Sequence, residues 1–223
     1  MSESSTSTLT RLWLIRHGEP DAEVRGRCYG RLDVGLSAEG RRQLERVAER
    51  LAREPLSAIF ASPRKRAIES AEILAARHAC GVRTEEELRE IDFGDFEGLT
   101  YDEIALRYPE RFRQWMDRPT EVEFPNGESF PAMRARVTRA VAALRDRHRS
   151  QCVALVTHGG VIRIALADAL SIPPANIFRI AQRYAAINLI TCVDDHPMVE
   201  LVNLDVASGS SCGAATRPPT PPG

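Results

Sequence analysis

The amino-acid sequence predicts an α/β fold: a three-layer α/β/α sandwich with a mainly parallel central sheet and an antiparallel edge strand. Short apolar runs alternate with amphipathic stretches along the chain. Two of the runs, Leu12–Ile15 and Val153–Val156, are continuously apolar, which is typical of strands buried on both faces. A strand-like pair near the C-terminal end, Ala186–Val193 and Met198–Leu204, is joined by a turn and indicates a hairpin near the sheet edge.

The remaining elements fit between these strands. Ala58–Phe60 is a further short strand. The predicted helices are recognised by a capping residue, an apolar stripe or a proline stop. They run from Ser37 to near Pro55, from about Arg64 to His78, from Thr100 with Glu103 at capping-box spacing, along the stripe from Phe130 to Leu144, and from Gly159 to Leu170.

Length and composition predict one domain over residues 11–206. Residues 1–10 are Ser/Thr-rich and residues 207–223 are Gly/Ser/Pro-rich, so both are predicted to be disordered. A net charge of −1 gives no basic field for nucleic acid or an anionic membrane. No signal peptide or membrane span is recognisable, so we expect a cytoplasmic protein. Five scattered cysteines without a CxxC pair argue against a disulfide framework and a zinc site.

Two histidine motifs directly follow buried strands. RHGE (residues 16–19) follows the first strand, and THGG (residues 157–160) follows the VALV strand. Both histidines are therefore expected at carboxyl ends of strands, where α/β sheets bind ligands. Each histidine alone also fits a hydrogen-bonded core residue. A metal site would need carboxylate or thiolate ligands, and Arg16 would repel a cation. Arginine beside histidine suits an oxyanion such as phosphate.

Four motifs in this order, LIRHGE, SPRKRA, LREIDFGDFEG and VTHGG, resemble those of the histidine phosphatase superfamily, which includes the cofactor-dependent phosphoglycerate mutases. The resemblance covers roughly residues 11–205. It implies that His17 attacks phosphorus and becomes a phosphohistidine. It also implies that Arg16 and Arg66 hold the phosphoryl oxygens. Arg64, in the same motif as Arg66, is expected to face solvent or to play an auxiliary part.

The resemblance assigns roles to further residues. His158, with Gly159 beside it, would stabilise charge on the transferring phosphoryl group, and Glu90 would protonate the leaving alkoxide. Arg27 and Tyr29 match the substrate loop of the family, although the family often has Gln at the position of Tyr29, and Arg27 also fits an Arg-rich surface loop. Neither a metal nor a cofactor is implied.

The expected activity is metal-independent hydrolysis of a small phosphate monoester. Mutases have a longer insertion after the catalytic Glu, whereas only about 60 residues separate Glu90 from VALVTH here. A cofactor-dependent phosphoglycerate mutase stays open as an alternative, as does a weakly catalytic regulatory module that binds phosphate esters. RLWLIRHGE and the segment 126–129 resemble α-ribazole-5′-phosphate phosphatases of cobalamin assembly, but segment 126–129 also fits a plain turn and helix cap. The expected partner is a small phosphate ester; a homodimer is left open.

Overall fold

The computed structural model describes residues 8–206. Most of the two segments predicted to be disordered therefore lies outside the described residues. The first strand begins at Leu9, so the folded chain starts earlier than the predicted boundary at residue 11. No helix in the described range is long and apolar enough to cross a membrane.

A six-stranded sheet forms the centre of the molecule. Its strands lie in the order β3-β2-β4-β1-β5-β6. Their bounds are β1 Leu9–Arg16, β2 Leu56–Ala61, β3 Val82–Thr84, β4 Cys152–Thr157, β5 Ile187–Val193 and β6 His196–Leu204. β3, β2, β4 and β1 are mutually parallel, whereas β5 runs antiparallel to β1. The predicted, mainly parallel α/β sheet is confirmed.

The predicted hairpin at the sheet edge is confirmed as β5 and β6. β5 pairs antiparallel to β1, and β6 pairs antiparallel to β5 and forms the outermost strand. The short edge strand β3 was not predicted, because its three residues are partly or fully exposed and have no apolar pattern.

Helices cover both faces of the sheet. They are α1 Ala38–Leu51, α2 Lys65–Ala75, α3 Tyr101–Arg107, α4 Pro109–Asp117, α5 Phe130–Arg147 and α6 Gly159–Ala169. Alternate side chains of β1 point to opposite faces: Trp13 and Ile15 pack with α1 and α2, whereas Leu12 and Leu14 pack with α5 and α6. α3 and α4 lie on the α5/α6 side, and α4 was not predicted.

Candidate active site

The two motif histidines lie next to each other at the carboxyl edge of the sheet. β1 and β4 are parallel neighbours in which Arg16 pairs with Thr157. His17 N–H donates to the carbonyl oxygen of Thr157 at 2.9 Å. The imidazole rings of His17 and His158 are 5.1 Å apart between centroids, at an interplanar angle of 62°. Strand register therefore brings together two residues that are 141 positions apart in the sequence.

His17 is held as a neutral imidazole with one nitrogen free. Its side chain is buried, and Nδ1 lies 2.7 Å from the carbonyl oxygen of Gly18. A carbonyl oxygen only accepts, so we assign the proton to Nδ1 and the lone pair to Nε2. Burial, together with the positive charges of Arg66 and Arg16, holds the pKa of His17 well below 6.5. Nε2 is consequently available as a nucleophile near neutral pH.

Two arginines extend beside His17. Arg66 is fully buried, and its terminal nitrogens donate to the carbonyl oxygens of Leu32 at 2.8 Å and Gly30 at 3.0 Å. Arg16 Nη1 donates to the carbonyl oxygen of Gln182 at 2.6 Å. Backbone oxygens thus fix both guanidinium groups without neutralising their charge, which leaves a positive field for an anion.

His158 is fully buried beside His17. Its Nε2 lies 2.7 Å from Ser62 Oγ. Burial, Arg66 and His17 hold the pKa of His158 well below 6.5, so this imidazole is also neutral. With the Ser62 hydroxyl as donor to Nε2, the proton of His158 resides on Nδ1. A neutral His158 can therefore still donate a hydrogen bond to an oxyanion.

Several buried nitrogens around this site lack a hydrogen-bond partner within residues 8–206: Arg16 Nε, Arg64 Nε, Arg66 Nε and His158 Nδ1. Leaving buried donors unpaired costs roughly 1–3 kcal/mol each. Three of the four residues line one pocket of about 230 Å³ together with His17 and Glu90. Arg64 was expected to face solvent or to play an auxiliary part; it is half-buried at the N-cap of α2, and its charge acts on Arg66 and His158. An oxyanion would satisfy such donors.

Glu90 enters the same pocket from the segment between β3 and α3. Its Oε2 accepts from Gly160 N–H and its Oε1 accepts from Ile91 N–H, both at 3.0 Å. Thr157 Oγ1 donates to the carbonyl oxygen of Leu88 at 2.7 Å, which ties the segment to the end of β4. The carboxylate predicted to transfer protons is thus fixed at the N-terminus of α6.

A buried ion pair holds the backbone that precedes Glu90. Arg136 on α5 binds Glu128 through two contacts, Nε to Oε1 at 2.9 Å and Nη2 to Oε2 at 2.7 Å. Arg136 Nη1 also donates to the carbonyl oxygens of Glu87 at 2.7 Å and Arg89 at 3.0 Å. The pair therefore attaches the backbone that directly precedes Glu90 to a long helix.

Segment 126–129 is a turn and a helix cap. Asn126 has a positive φ of 56°, and Ser129 Oγ accepts from Ala132 N–H to cap α5. Glu128 N–H donates to the carbonyl oxygen of Asp92 at 2.9 Å. The turn interpretation is confirmed, and the same turn positions Glu128 for Arg136.

Arg27 and Tyr29 line the pocket, but their polar atoms contact the protein. Arg27 Nη1 donates to the carbonyl oxygen of Gly98 at 2.7 Å. The Tyr29 hydroxyl hydrogen-bonds the Tyr184 hydroxyl at 2.7 Å, and the Arg66 guanidinium lies 5.0 Å from the centre of the Tyr29 ring. Burial raises the pKa of Tyr29, which keeps its hydroxyl neutral. The Tyr29 ring therefore contacts Arg66, while its hydroxyl is already hydrogen-bonded to Tyr184.

Gly159 leaves space for the two arginines nearest to it. A Cβ at this position would lie 3.1 Å from Arg163 Nη1 and 3.5 Å from the guanidinium carbon of Arg16. The side chain of Arg163 also lines the pocket. A larger residue at position 159 would therefore displace Arg163, and it would press on the guanidinium of Arg16.

Three residues of this site were not predicted from the sequence. Ser62 contacts His158, Arg163 lines the pocket, and Tyr184 stacks against Arg16 with its ring centre 4.2 Å from the guanidinium carbon. Arg163 had a usable signal, since it is a lone charge within the apolar first two turns of α6. Tyr184 lies in an irregular loop before β5, and no sequence pattern indicates its position in the site.

Comparison with known proteins places all of these residues inside one matched region. The family model described as "Histidine phosphatase superfamily (branch 1)" matches residues 12–205. Phosphoglycerate mutase-like protein 4 of Arabidopsis thaliana is 41% identical over 155 residues, which cover 67% of this chain and 66% of that protein. Phosphoserine phosphatase 1 of Hydrogenobacter thermophilus is 37% identical over 150 residues, 67% of this chain and 71% of that protein.

A solved structure has the same architecture. The α-ribazole phosphatase from Shigella flexneri superposes with a TM-score of 0.81 at 26% identity, over 87% of this chain and 96% of that one. Sequence and structure comparisons therefore agree on the fold while differing in the substrate that each relative's name carries.

Proposed function

The chain belongs to the histidine phosphatase superfamily (branch 1), a family of phosphoester hydrolases, and on this premise we propose that it hydrolyses the phosphate monoester of a small metabolite through a phosphohistidine on His17, without a metal ion. One observation supports the proposal most strongly: buried, unpaired N–H donors surround a neutral imidazole whose Nε2 is free. That combination suits a nucleophile facing a bound phosphoryl group.

In the first half-reaction, His17 Nε2 attacks phosphorus. The N–P bond forms while the bond from phosphorus to the alcohol oxygen breaks. Arg16, Arg66 and His158 donate to the non-bridging oxygens, where negative charge is concentrated. Glu90 gives a proton to the departing alkoxide, so the alcohol leaves neutral.

In the second half-reaction, a water molecule attacks the phosphohistidine. Glu90 removes a proton from this water, the N–P bond breaks, and His17 regains its lone pair as phosphate forms. The proton that Glu90 takes in one turnover is the proton that it gives in the next. Backbone N–H groups of Gly160 and Ile91 keep the carboxylate in place throughout.

The natural substrate that we propose is α-ribazole-5′-phosphate, in keeping with the name of the structurally similar Shigella flexneri enzyme. Phosphoserine, named for the Hydrogenobacter thermophilus relative, is the competing substrate. The mutase alternative is separated from hydrolysis by its product, which is an isomerised phosphate ester instead of free phosphate. The cytoplasmic location and the homodimer stay predictions.

The test is hydrolysis of p-nitrophenyl phosphate in the presence of a chelator. We expect free phosphate to be released, and we expect His17→Ala to lower kcat by at least about 10³-fold. His196→Ala is the matched control, because His196 is an exposed residue on β6. Activity that requires added metal, or that survives in the His17 variant, would contradict the proposal. Binding without turnover would instead favour the regulatory module.

A further inference from the structure

A second, largely apolar pocket adjoins the phosphate pocket. It has a volume of about 190 Å³ and shares Glu90, Phe93, Tyr101 and Arg163 with the site around His17. The two pockets therefore have a common wall. A phosphate ester held by Arg16 and Arg66 has this space beside it for its alcohol part, on the side from which Glu90 would protonate the leaving oxygen.

Aromatic rings form much of the wall. Tyr101 stacks on Trp115 with centroids 5.4 Å apart and an interplanar angle of 13°. Phe93 and Phe124 meet edge to face at 5.0 Å. Rings that pack on one another in this way form a rigid apolar surface. Tyr101 and Phe178 are nevertheless 45% and 49% exposed, so an apolar ligand would remove their surface from water.

Charged groups in this second pocket are few. Among its lining residues, all of which lie in the described chain, only Glu90 and Arg163 have charged side chains. Arg163 Nε donates to the carbonyl oxygen of Ile180 at 2.9 Å, and its guanidinium carbon lies 5.7 Å from the centre of the Phe178 ring. An ammonium group would find no carboxylate here except that of Glu90, which the reaction uses. Amino-acid phosphates therefore fit this pocket poorly.

We infer that the pocket binds the alcohol part of the substrate and selects phosphate esters of alcohols that have an aromatic ring. The inference rests on the proposed function of the site around His17. An apolar cavity of about 150 Å³ is enough for benzene, so this pocket has room for an aromatic ring. Phe178 and Tyr101 cover the ring, and Arg163 faces its edge.

The first test compares 3-phenylpropyl phosphate with propyl phosphate and O-phosphoserine. The first two have primary alkoxide leaving groups, so the chemical step is matched and the ring is the difference. We expect kcat/KM to be roughly tenfold or more higher for the phenyl ester, mainly through KM. Equal values for these two esters, or a preference for O-phosphoserine, would overturn the inference and leave the proposed hydrolysis intact.

Variants locate the effect. Phe178→Ala should lower the ratio of the phenyl to the propyl value of kcat/KM by several-fold, and Phe178→Tyr should restore it, because the ring contact returns. Leu106→Ala is the control, since Leu106 on α3 is 83% exposed and does not line the pocket. An unchanged ratio in Phe178→Ala would contradict the inferred position of the ring.

The second test measures binding alone. Calorimetric titration compares 3-phenylpropylphosphonate with propylphosphonate, whose C–P bonds are not hydrolysed. We expect about tenfold tighter binding of the phenyl compound. Tighter binding in a protein that releases no phosphate from any ester would support the apolar subsite and overturn the proposed function. Equal affinities would overturn the subsite.

Discussion

Replacing Arg136 by Met removes the ion pair that supports the Glu90 segment. The side chains of Arg136 and Glu128 are only 5% and 13% exposed, so solvent cannot compensate for the loss. The substitution leaves the Glu128 carboxylate with only the longer contact to Arg89 Nη2 at 3.9 Å, and it leaves the carbonyl oxygens of Glu87 and Arg89 without their donor. Breaking one side of such a pair typically costs about 3–5 kcal/mol. We expect the free energy of unfolding to fall by that amount.

Urea unfolding followed by circular dichroism measures this change. The matched control is Arg134→Met on the same helix, since Arg134 pairs with Asp168 at the surface and should cost about 0.2–1 kcal/mol. The double variant Glu128→Leu/Arg136→Met should recover part of the loss, because it leaves no unpaired carboxylate. If Arg136→Met lowers the free energy of unfolding by less than about 1 kcal/mol, the pair does not stabilise the fold as we expect.

Four further outcomes are expected. The free energy of unfolding should fall as the pH drops below 6.5. The unfolded chain then binds protons at His17 and His158, whereas the folded chain, in which both pKa values are lowered, does not. A free energy of unfolding that stays constant between pH 7 and pH 5 would contradict this. The acid limb of kcat/KM should likewise lie below pH 6.5, and a limb centred above 6.5 would show that His17 is not the titrating nucleophile. Ser62→Ala removes the partner of His158 Nε2 and should lower kcat/KM by roughly 10- to 100-fold, with recovery in Ser62→Thr; equal rates would mean that Ser62 does not set the tautomer. Inorganic phosphate at about 100 times its Kd should raise the free energy of unfolding by about 2.7 kcal/mol, measured by urea titration, and Arg66→Met should lose this gain.

The elements that place His17 and His158 could be predicted from the sequence. The runs before RHGE and THGG are apolar at every position because β1 and β4 lie inside the sheet with helices on both faces. Two such strands must end at the same edge if they are parallel, and this places the two histidines together. Local pattern was sufficient for this part of the fold.

Other features depend on tertiary contacts that no local pattern records. The exposed edge strand β3 lacks an apolar pattern, and α4 begins at Pro109 directly after α3 ends. Boundaries of this kind follow from packing and not from propensity.

The candidate site also has residues that could be predicted from the sequence and residues that could not. Motif residues could be named from the sequence, whereas the buried pair between Glu128 and Arg136 could not, because neither residue belongs to a pattern that indicates its partner. The apolar pocket beside His17 also assembles from separate elements, with Phe93, Trp115 and Phe178 contributed by three parts of the chain. The residues of the proposed phosphate site could therefore be predicted from the sequence, whereas the residues of the apolar pocket could not.

The central claim is that His17 becomes phosphorylated during turnover. Rapid quenching of a single turnover in alkali, followed by mass spectrometry of the peptides, tests it directly. The account predicts an acid-labile phosphoryl group on the peptide that contains His17, and its absence in His17→Ala. Phosphate release with no phosphorylated His17 at any quench time, or a phosphoryl group on another residue, would contradict the account.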